Sequence, residues 1–133
     1  MIVSVRFTKS TFSTVQPSGI VETVTLAILR EVKEETGVDY EIDRLAFIQE
    51  NFFQRHDGML KDLRCHEITF YFLMKSKGSQ QLNSNSKTLN NTIEEKMVWL
   101  PMDKLNEYEA YPFFFRDKLK NLPLYPEHII TYQ

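Results

Sequence analysis

Residues 30–38, Arg30-Glu31-Val32-Lys33-Glu34-Glu35-Thr36-Gly37-Val38, decide which fold this chain can be expected to adopt. They place three glutamates within five residues, directly before a glycine. From Val24 to Thr36 there is no Pro or Gly, and most of the residues are fair to good helix formers. Thr23 suits the N-cap, and Gly37 suits the left-handed stop just past the last turn. The sequence therefore predicts a helix over Val24 to Thr36.

The two sides of this predicted helix differ in character. At about 100° per residue, four apolar side chains share one broad arc: Leu26, Ile28, Leu29 and Val32. The opposite arc carries Ala27, Glu31, Glu34 and Glu35. Lys33 lies among the apolar positions and blurs the pattern. The helix is expected to bury the first arc and to present the glutamates on the second.

A glutamate-rich helix face is usually only a solvated surface, but this one lacks the usual compensation. Solvated faces tend to place Lys or Arg three or four residues from Glu, whereas Glu31 and Glu35 form a like-charge pair that costs ~0.2–0.5 kcal/mol. Arg30 can reach Glu34, yet no base stands between Glu31 and Glu35. Mg²⁺ is typically held by a few carboxylates together with substrate phosphates. The pattern favours a metal and phosphate site over an acidic interaction helix without a metal.

The same residues resemble the second half of the Nudix box, G-x5-E-x7-R-E-U-x-E-E-x-G-U with U apolar. Residues 30–38 match that half at every fixed position. Further stretches are similar to later parts of bacterial, MutT-like members of the family. They are residues 41–45 with 48–53, residues 66–73, and the Trp99-Leu100-Pro101 turn with residues 102–105. The resemblance covers roughly residues 17–122.

The resemblance implies an α/β (α+β) Nudix fold, in which a mixed β-sheet lies between helices, and a single hydrolase domain over residues 1–133. It also implies hydrolysis of the diphosphate bond in a nucleoside diphosphate linked to another moiety, dependent on Mg²⁺ or Mn²⁺. Glu34 and Glu35 would hold the metal, and Glu31 would be a further ligand or the general base. Arg30 would orient Glu31, and the backbone at Gly19 would supply a carbonyl to the metal. Members of the family often form homodimers.

The first half of the box departs from the family pattern, which usually has a Gly-Gly pair, a Val-Glu and then Pro-Gly-Glu-Thr. Here the chain has Pro17-Ser18-Gly19-Ile20-Val21-Glu22-Thr23. Alignment forward from Pro17 makes Gly19 a box glycine and leaves the loop about three residues short. The segment before it has room for one strand, Ile2 to Phe7, followed by a Ser- and Thr-rich stretch. These departures motivate an alternative function: a catalytically impaired Nudix-fold module that binds nucleotides.

Four residues downstream are candidates for contacts with substrate. Glu67 is either a further acidic ligand or base, or an exposed residue at the rim of a strand. His66 either contacts phosphate or base, or is a structural histidine. Glu50 either lines the pocket or faces water, and Phe52 either stacks on a nucleobase or belongs to the core. His128, near the carboxyl end of the chain, carries no readable signal.

The remaining elements follow from local patterns. Strands are predicted at Leu45 to Phe53, Glu67 to Met74 and Glu95 to Leu100, where β-branched and aromatic residues are frequent. A short helical turn is predicted at Asp103 to Asn106. A second helix is predicted at Pro112 to Asn121, with Pro112 in its first turn.

Composition limits the class of protein. A chain of 133 residues suits one domain with one core. Its net charge of −2 gives no sign of a broad nucleic-acid or membrane surface. No apolar run approaches the ~20 residues of a membrane span, and the amino-terminal residues do not resemble a signal peptide. We therefore expect a cytoplasmic protein, and the Nudix resemblance implies that its partner is a small-molecule nucleoside diphosphate derivative.

Overall fold

In the residues that the structure describes, the fold is a four-stranded mixed sheet with helices on both faces. The computed structural model describes residues 23–56, 62–78 and 99–133, together with the backbone of residues 2–10. In chain order the elements are β1 (Ile2–Ser10), α1 (Val24–Thr36), β2 (Ile42–Gln54), β3 (Arg64–Met74), a 3-10 helix (Met102–Glu107), α2 (Phe115–Lys118) and β4 (Glu127–Tyr132). The strand order is β1-β3-β2-β4. Strand β3 is antiparallel to both β1 and β2, whereas β4 is parallel to β2.

Helix α1 has the bounds that its caps predict. Thr23 is extended, and its Oγ1 accepts a hydrogen bond of 3.2 Å from the Leu26 backbone N–H. Gly37 is left-handed at φ 68°, which lets its N–H donate to the Lys33 carbonyl at 2.9 Å. Both ends satisfy backbone groups that a helix terminus would otherwise leave without partners. The prediction of a helix over Val24 to Thr36 is confirmed.

The rotation of α1 differs from the prediction. Its buried residues are Ala27, Ile28, Val32 and Thr36. Leu26, expected on the buried arc, is 56% exposed, while Ala27, expected beside the glutamates, is buried. The stripe at Ile28, Val32 and Thr36 follows the i, i+4 row of a helix, and the small Ala27 side chain completes it. Because Glu31 follows Ala27 by four residues, it lies at the border of the buried stripe.

The two faces of the sheet bury separate cores. On one face α1 packs against a cluster that includes Val38, Tyr40, Phe72 and Met74. On the other face, the 3-10 helix and α2 cover Ala46, Phe47, Tyr71 and Leu73. Alternate residues of β3 point to opposite faces, as a strand requires. This arrangement confirms the predicted mixed sheet between helices.

Strand β2 is irregular in its first half. Its ladder with β3 shifts register between Ile42 and Arg44, and again between Leu45 and Phe47. At the first shift Asp43 has no partner on β3, and at the second shift Ala46 has none. Leu45 consequently packs on the α1 face, whereas Phe47 packs on the opposite face.

Two predicted elements need correction, and one observed strand was missed. The helix predicted over residues 112–121 is shorter, because only Phe115–Lys118 is α-helical. Before it, Phe115 N–H donates to the Pro112 carbonyl in an i→i+3 bond, a tight turn that lets Phe114 and Phe115 contact Phe47. Residues 99–100 are not in a strand, and the rest of the strand predicted at 95–100 lies outside the described residues. Strand β4 was not predicted at all.

Candidate active site

The acidic side of α1 is accessible and is partly paired with Arg30. The Glu31 side chain is 38% exposed and that of Glu34 is 62% exposed. Arg30 Nη1 lies 3.2 and 3.3 Å from the two carboxylate oxygens of Glu34. Arg30 Nη2 lies 4.0 Å from Glu31 Oε1. The guanidinium thus donates hydrogen bonds to Glu34 and lies at ion-pair distance from Glu31. The family resemblance implies instead that Arg30 orients Glu31.

The donor chemistry of α1 fits a hard divalent metal. Glu31, Glu34 and Glu35 carry carboxylate oxygens, the ligands that Mg²⁺ and Mn²⁺ prefer. Within residues 23–56, 62–78 and 99–133, no three Asp, Glu, His or Cys side chains are grouped closely enough to hold an ion. Gly19 lies outside the described residues. Glu34 could act as a ligand through the lone pairs that its bonds to Arg30 leave open, or after rotating away from Arg30, which the exposed position of both side chains allows.

Three of the four predicted substrate residues come together on the α1 face of the sheet. His66 Nε2 lies 2.8 Å from Glu50 Oε2. The ring of Phe52 stacks on the His66 imidazole, with centroids 4.3 Å apart and planes 6° from parallel. Glu67 follows His66 directly in β3, so strand alternation directs it to the opposite face. Glu50, Phe52 and His66 form one group, and Glu67 lies apart from it.

Two further residues, both from β4, contact this group. His128 Nε2 lies 2.8 Å from Glu50 Oε1, so the two imidazoles bind the two oxygens of one carboxylate. The Tyr132 ring stacks on the other side of Phe52, with centroids 5.3 Å apart. We call Glu50, Phe52, His66, His128 and Tyr132 the β4 cluster. The run Ile129-Ile130-Thr131-Tyr132 is rich in β-formers and is the sequence signal for this strand.

Pairing in the sheet places the β4 cluster on the face that packs against α1. Phe70, which packs against the α1 core, is paired with Ile48 of β2. The next pair on the same face is Ile68 with Glu50, about 7 Å further along the strands. Glu50 therefore lies one row beyond the part of the sheet that contacts the α1 core.

The opposite face carries a second polar group, built from neutral side chains. The Tyr71 hydroxyl donates to Gln49 Oε1 at 2.7 Å, and Gln49 Nε2 donates to Thr131 Oγ1 at 2.9 Å. Thr131 Oγ1 lies 2.8 Å from Asn51 Oδ1, its acceptor. Gln49 and Asn51 are 4% and 8% exposed. We call Gln49, Asn51, Tyr71 and Thr131 the neutral network.

Comparison with family models identifies the class of protein. The model described as "NUDIX domain" matches residues 5–121, and the chain belongs to this family. This membership supports a Nudix hydrolase in general, with a small-molecule substrate. Comparisons with curated proteins and with solved structures give no match. No helix in the described part of the chain is long and apolar enough to span a membrane.

Proposed function

We propose that this Nudix domain hydrolyses the diphosphate bond of a nucleoside diphosphate joined to another group, with Mg²⁺ or Mn²⁺ as cofactor. The observation that carries the proposal is the exposure of Glu31 and Glu34 on α1, a helix fixed by both caps and by a buried stripe. A rigid helix fixes the backbone positions from which the carboxylates extend, so binding has to order only their side chains. Such preorganisation is what phosphoryl chemistry requires of a protein.

Each residue of this helix has a proposed role. Glu34 and Glu35 would hold the metal, and Glu31 would be a further ligand or would accept a proton from the attacking water. When bound, the metal neutralises charge on the phosphate oxygens and makes a coordinated water more acidic. The backbone carbonyl of Gly19 is a further proposed ligand.

Arg30 has a proposed part in loading the site. Its hydrogen bonds to Glu34 would reduce the repulsion between the Glu34 and Glu31 carboxylates in the absence of a metal cation. With a divalent cation supplying that neutralisation, the guanidinium would shift towards Glu31, whose Oε1 lies 4.0 Å from Arg30 Nη2. Arg30 would in this way act as a positioning residue.

The test is turnover by the wild type and by Glu34→Gln on a panel of nucleoside diphosphate derivatives. A coupled phosphatase detects the monophosphate products. Loss of one carboxylate ligand should reduce metal-dependent turnover about 100-fold or more, because the Lewis acid supplies several kcal/mol of charge stabilisation. Glu109→Gln, at an exposed position after the 3-10 helix, is the charge-matched control and should keep wild-type turnover. Equal turnover by the wild type and Glu34→Gln would overturn the proposal.

The Arg30–Glu34 pair favours one alternative, a Nudix-fold module that binds nucleotides without catalysis. In that case the guanidinium would replace the cation permanently. Calorimetric titration with Mn²⁺, combined with the turnover panel, separates the two functions. Metal binding without turnover on any compound would support the module, whereas turnover that Glu34→Gln removes would exclude it.

A further inference from the structure

We propose that Glu50, held between His66 and His128, accepts hydrogen bonds from the nucleoside part of the substrate. This makes Glu50 a specificity-determining residue and makes β4 part of the recognition surface. The inference rests on the proposed function only in taking the ligand to be a nucleotide. It assigns the β4 cluster a separate task from the carboxylates of α1.

The carboxylate of Glu50 has unused acceptor capacity. Each of its oxygens accepts one imidazole N–H, at 2.8 Å in both cases. A carboxylate offers about four lone-pair positions, so about two stay available. The Glu50 side chain is 28% exposed, which lets a ligand reach those positions. Because a carboxylate only accepts, the matching ligand group must be a donor, and we infer that it is the ribose 2′-hydroxyl or an exocyclic amino group.

The carboxylate is also fixed in place. His66 is held from two directions, by its bond to Glu50 and by its stack on Phe52. His128 holds the second oxygen from the other side of β2. An acceptor held from both sides loses little rotamer freedom on binding, so a donor gains more affinity there than at a mobile surface glutamate.

The position of the β4 cluster suits an extended substrate. Glu50 lies one row beyond Phe70, on the face that α1 covers. A nucleoside diphosphate has a polar phosphate end and a nucleoside end, so it can contact two separate parts of one face. With the phosphates at the glutamates of α1, the nucleoside end would extend along the same face of the sheet towards the β4 cluster.

A purely structural role for the two histidines gives a different expectation. In that case they would only attach β4 to the sheet. Strand β4 is already attached on the other face, through the hydrogen bonds of Thr131 to Gln49 and Asn51. A structural role predicts that loss of Glu50 lowers stability and affects all nucleotides equally, whereas recognition predicts an effect that depends on the donors of the ligand.

The experiment measures equilibrium binding of nucleoside monophosphates by NMR titration with Mg²⁺ present; these probes have no diphosphate bond, so catalysis plays no part. The probes are AMP, GMP and CMP, which carry an exocyclic amino group, IMP and UMP, which lack one, and the 2′-deoxy form of each. Glu50→Gln should weaken binding of the recognised set about tenfold or more, as expected for a lost hydrogen bond to a charged group. An effect confined to AMP, GMP and CMP identifies the amino group, and one confined to ribonucleotides identifies the 2′-hydroxyl.

Two variants of His128 separate recognition from folding. His128→Gln keeps an N–H donor for Glu50 and should bind within about threefold of the wild type, whereas His128→Phe removes the donor and should resemble Glu50→Gln. Glu41→Gln, an exposed carboxylate paired with Lys75, is the matched control. Thermal unfolding establishes whether each variant is folded. If His128→Phe is unfolded, the binding of Glu50→Gln and His128→Gln decides whether the inference holds.

The outcomes are distinct from those of the turnover test. Binding that Glu34→Gln retains and Glu50→Gln loses supports the inference, even if no compound is hydrolysed. The inference is overturned if the wild type binds none of the probes. It is equally overturned if Glu50→Gln binds every probe like the wild type, or weakens all of them by the same factor.

Discussion

The two polar groups of the sheet lie back to back on the same three strands, and they are built in opposite ways. The neutral network uses amides and hydroxyls, and its Gln49 is 4% exposed. The β4 cluster joins a carboxylate to two imidazoles, and its His128 side chain is 53% exposed. Both groups link β2 to β4, yet only the β4 cluster keeps an acceptor accessible to a ligand.

This difference shows how one face of a sheet can serve stability while the other face serves recognition. Buried neutral groups that bond one another avoid the large desolvation cost of a buried charge, so they suit a permanent role. A carboxylate at partial exposure retains hydration and can exchange it for ligand donors. We therefore expect substitutions in the neutral network to change the free energy of unfolding, and substitutions in the β4 cluster to change binding.

The largest effect on stability is expected for Gln49→Leu. This change keeps the approximate volume but removes the acceptor of the Tyr71 hydroxyl and the donor to Thr131. Removing two hydrogen bonds from buried side chains should lower the free energy of unfolding by about 1–3 kcal/mol. Urea denaturation measures this loss, with Glu50→Gln as the comparison. If Glu50→Gln costs as much as Gln49→Leu, the division between the two groups is wrong.

A smaller effect, of opposite sign, is expected for Thr69→Val. Thr69 is fully buried on the side of the neutral network, and its Oγ1 has no hydrogen-bond partner among the described residues. Replacing the hydroxyl by a methyl group of similar shape removes a desolvation cost, so stability should stay constant or rise by up to about 1 kcal/mol. Thr131→Val, which breaks two bonds, should lower stability in the same assay. A clear loss in Thr69→Val would mean that this hydroxyl is paired.

The smallest expected effect is a change in the pKa of Glu41, which forms an exposed ion pair with Lys75. This pair is a reference for the neutral network and the β4 cluster. Lys75 Nζ lies 2.9 Å from Glu41 Oε2, and this hydrogen bond, with the attraction between the charges, lowers the pKa of Glu41 below its ordinary value of 4.5. Lys75→Met should raise the Glu41 pKa back towards that value, as NMR titration of its carboxyl carbon can measure. Because the pKa is lower in the folded state, the stabilisation is present above 4.5 and is lost as the pH falls through the folded value. An unchanged pKa in Lys75→Met would exclude the pair as its cause.

Helix α1 could be predicted because its determinants are local. Thr23 and Gly37 define its ends through backbone bonds within four residues, so no knowledge of the rest of the chain is needed. Its rotation could not be predicted, because Leu26 and Ala27 compete for the sheet and the outcome depends on how closely α1 packs. The motif from Arg30 to Val38 identified the family for the same local reason.

Strand β4 and the short α2 depend on distant contacts. Strand β4 pairs with β2 across about 80 residues of sequence, as the bond between His128 and Glu50 illustrates. Helix propensity over residues 112–121 is overridden by the packing of Phe114 and Phe115 against Phe47. Of the site residues, Glu50, Phe52 and His66 were chosen from sequence, but their shared partner His128 required the parallel pairing of β2 with β4.

The irregular first half of β2 has a consequence for how the length of this chain can vary. Leu45 and Phe47 are two positions apart, yet they pack on opposite faces because Ala46 has no partner on β3. From Phe47 onward the pairing is regular, so Glu50 keeps its face whatever happens upstream. The number of residues between α1 and Phe47 can therefore change without changing the face on which Glu50 lies. A gain or loss of one residue near Ala46 can be absorbed there, and an alignment of related chains should allow a gap at this point without changing the face of Glu50.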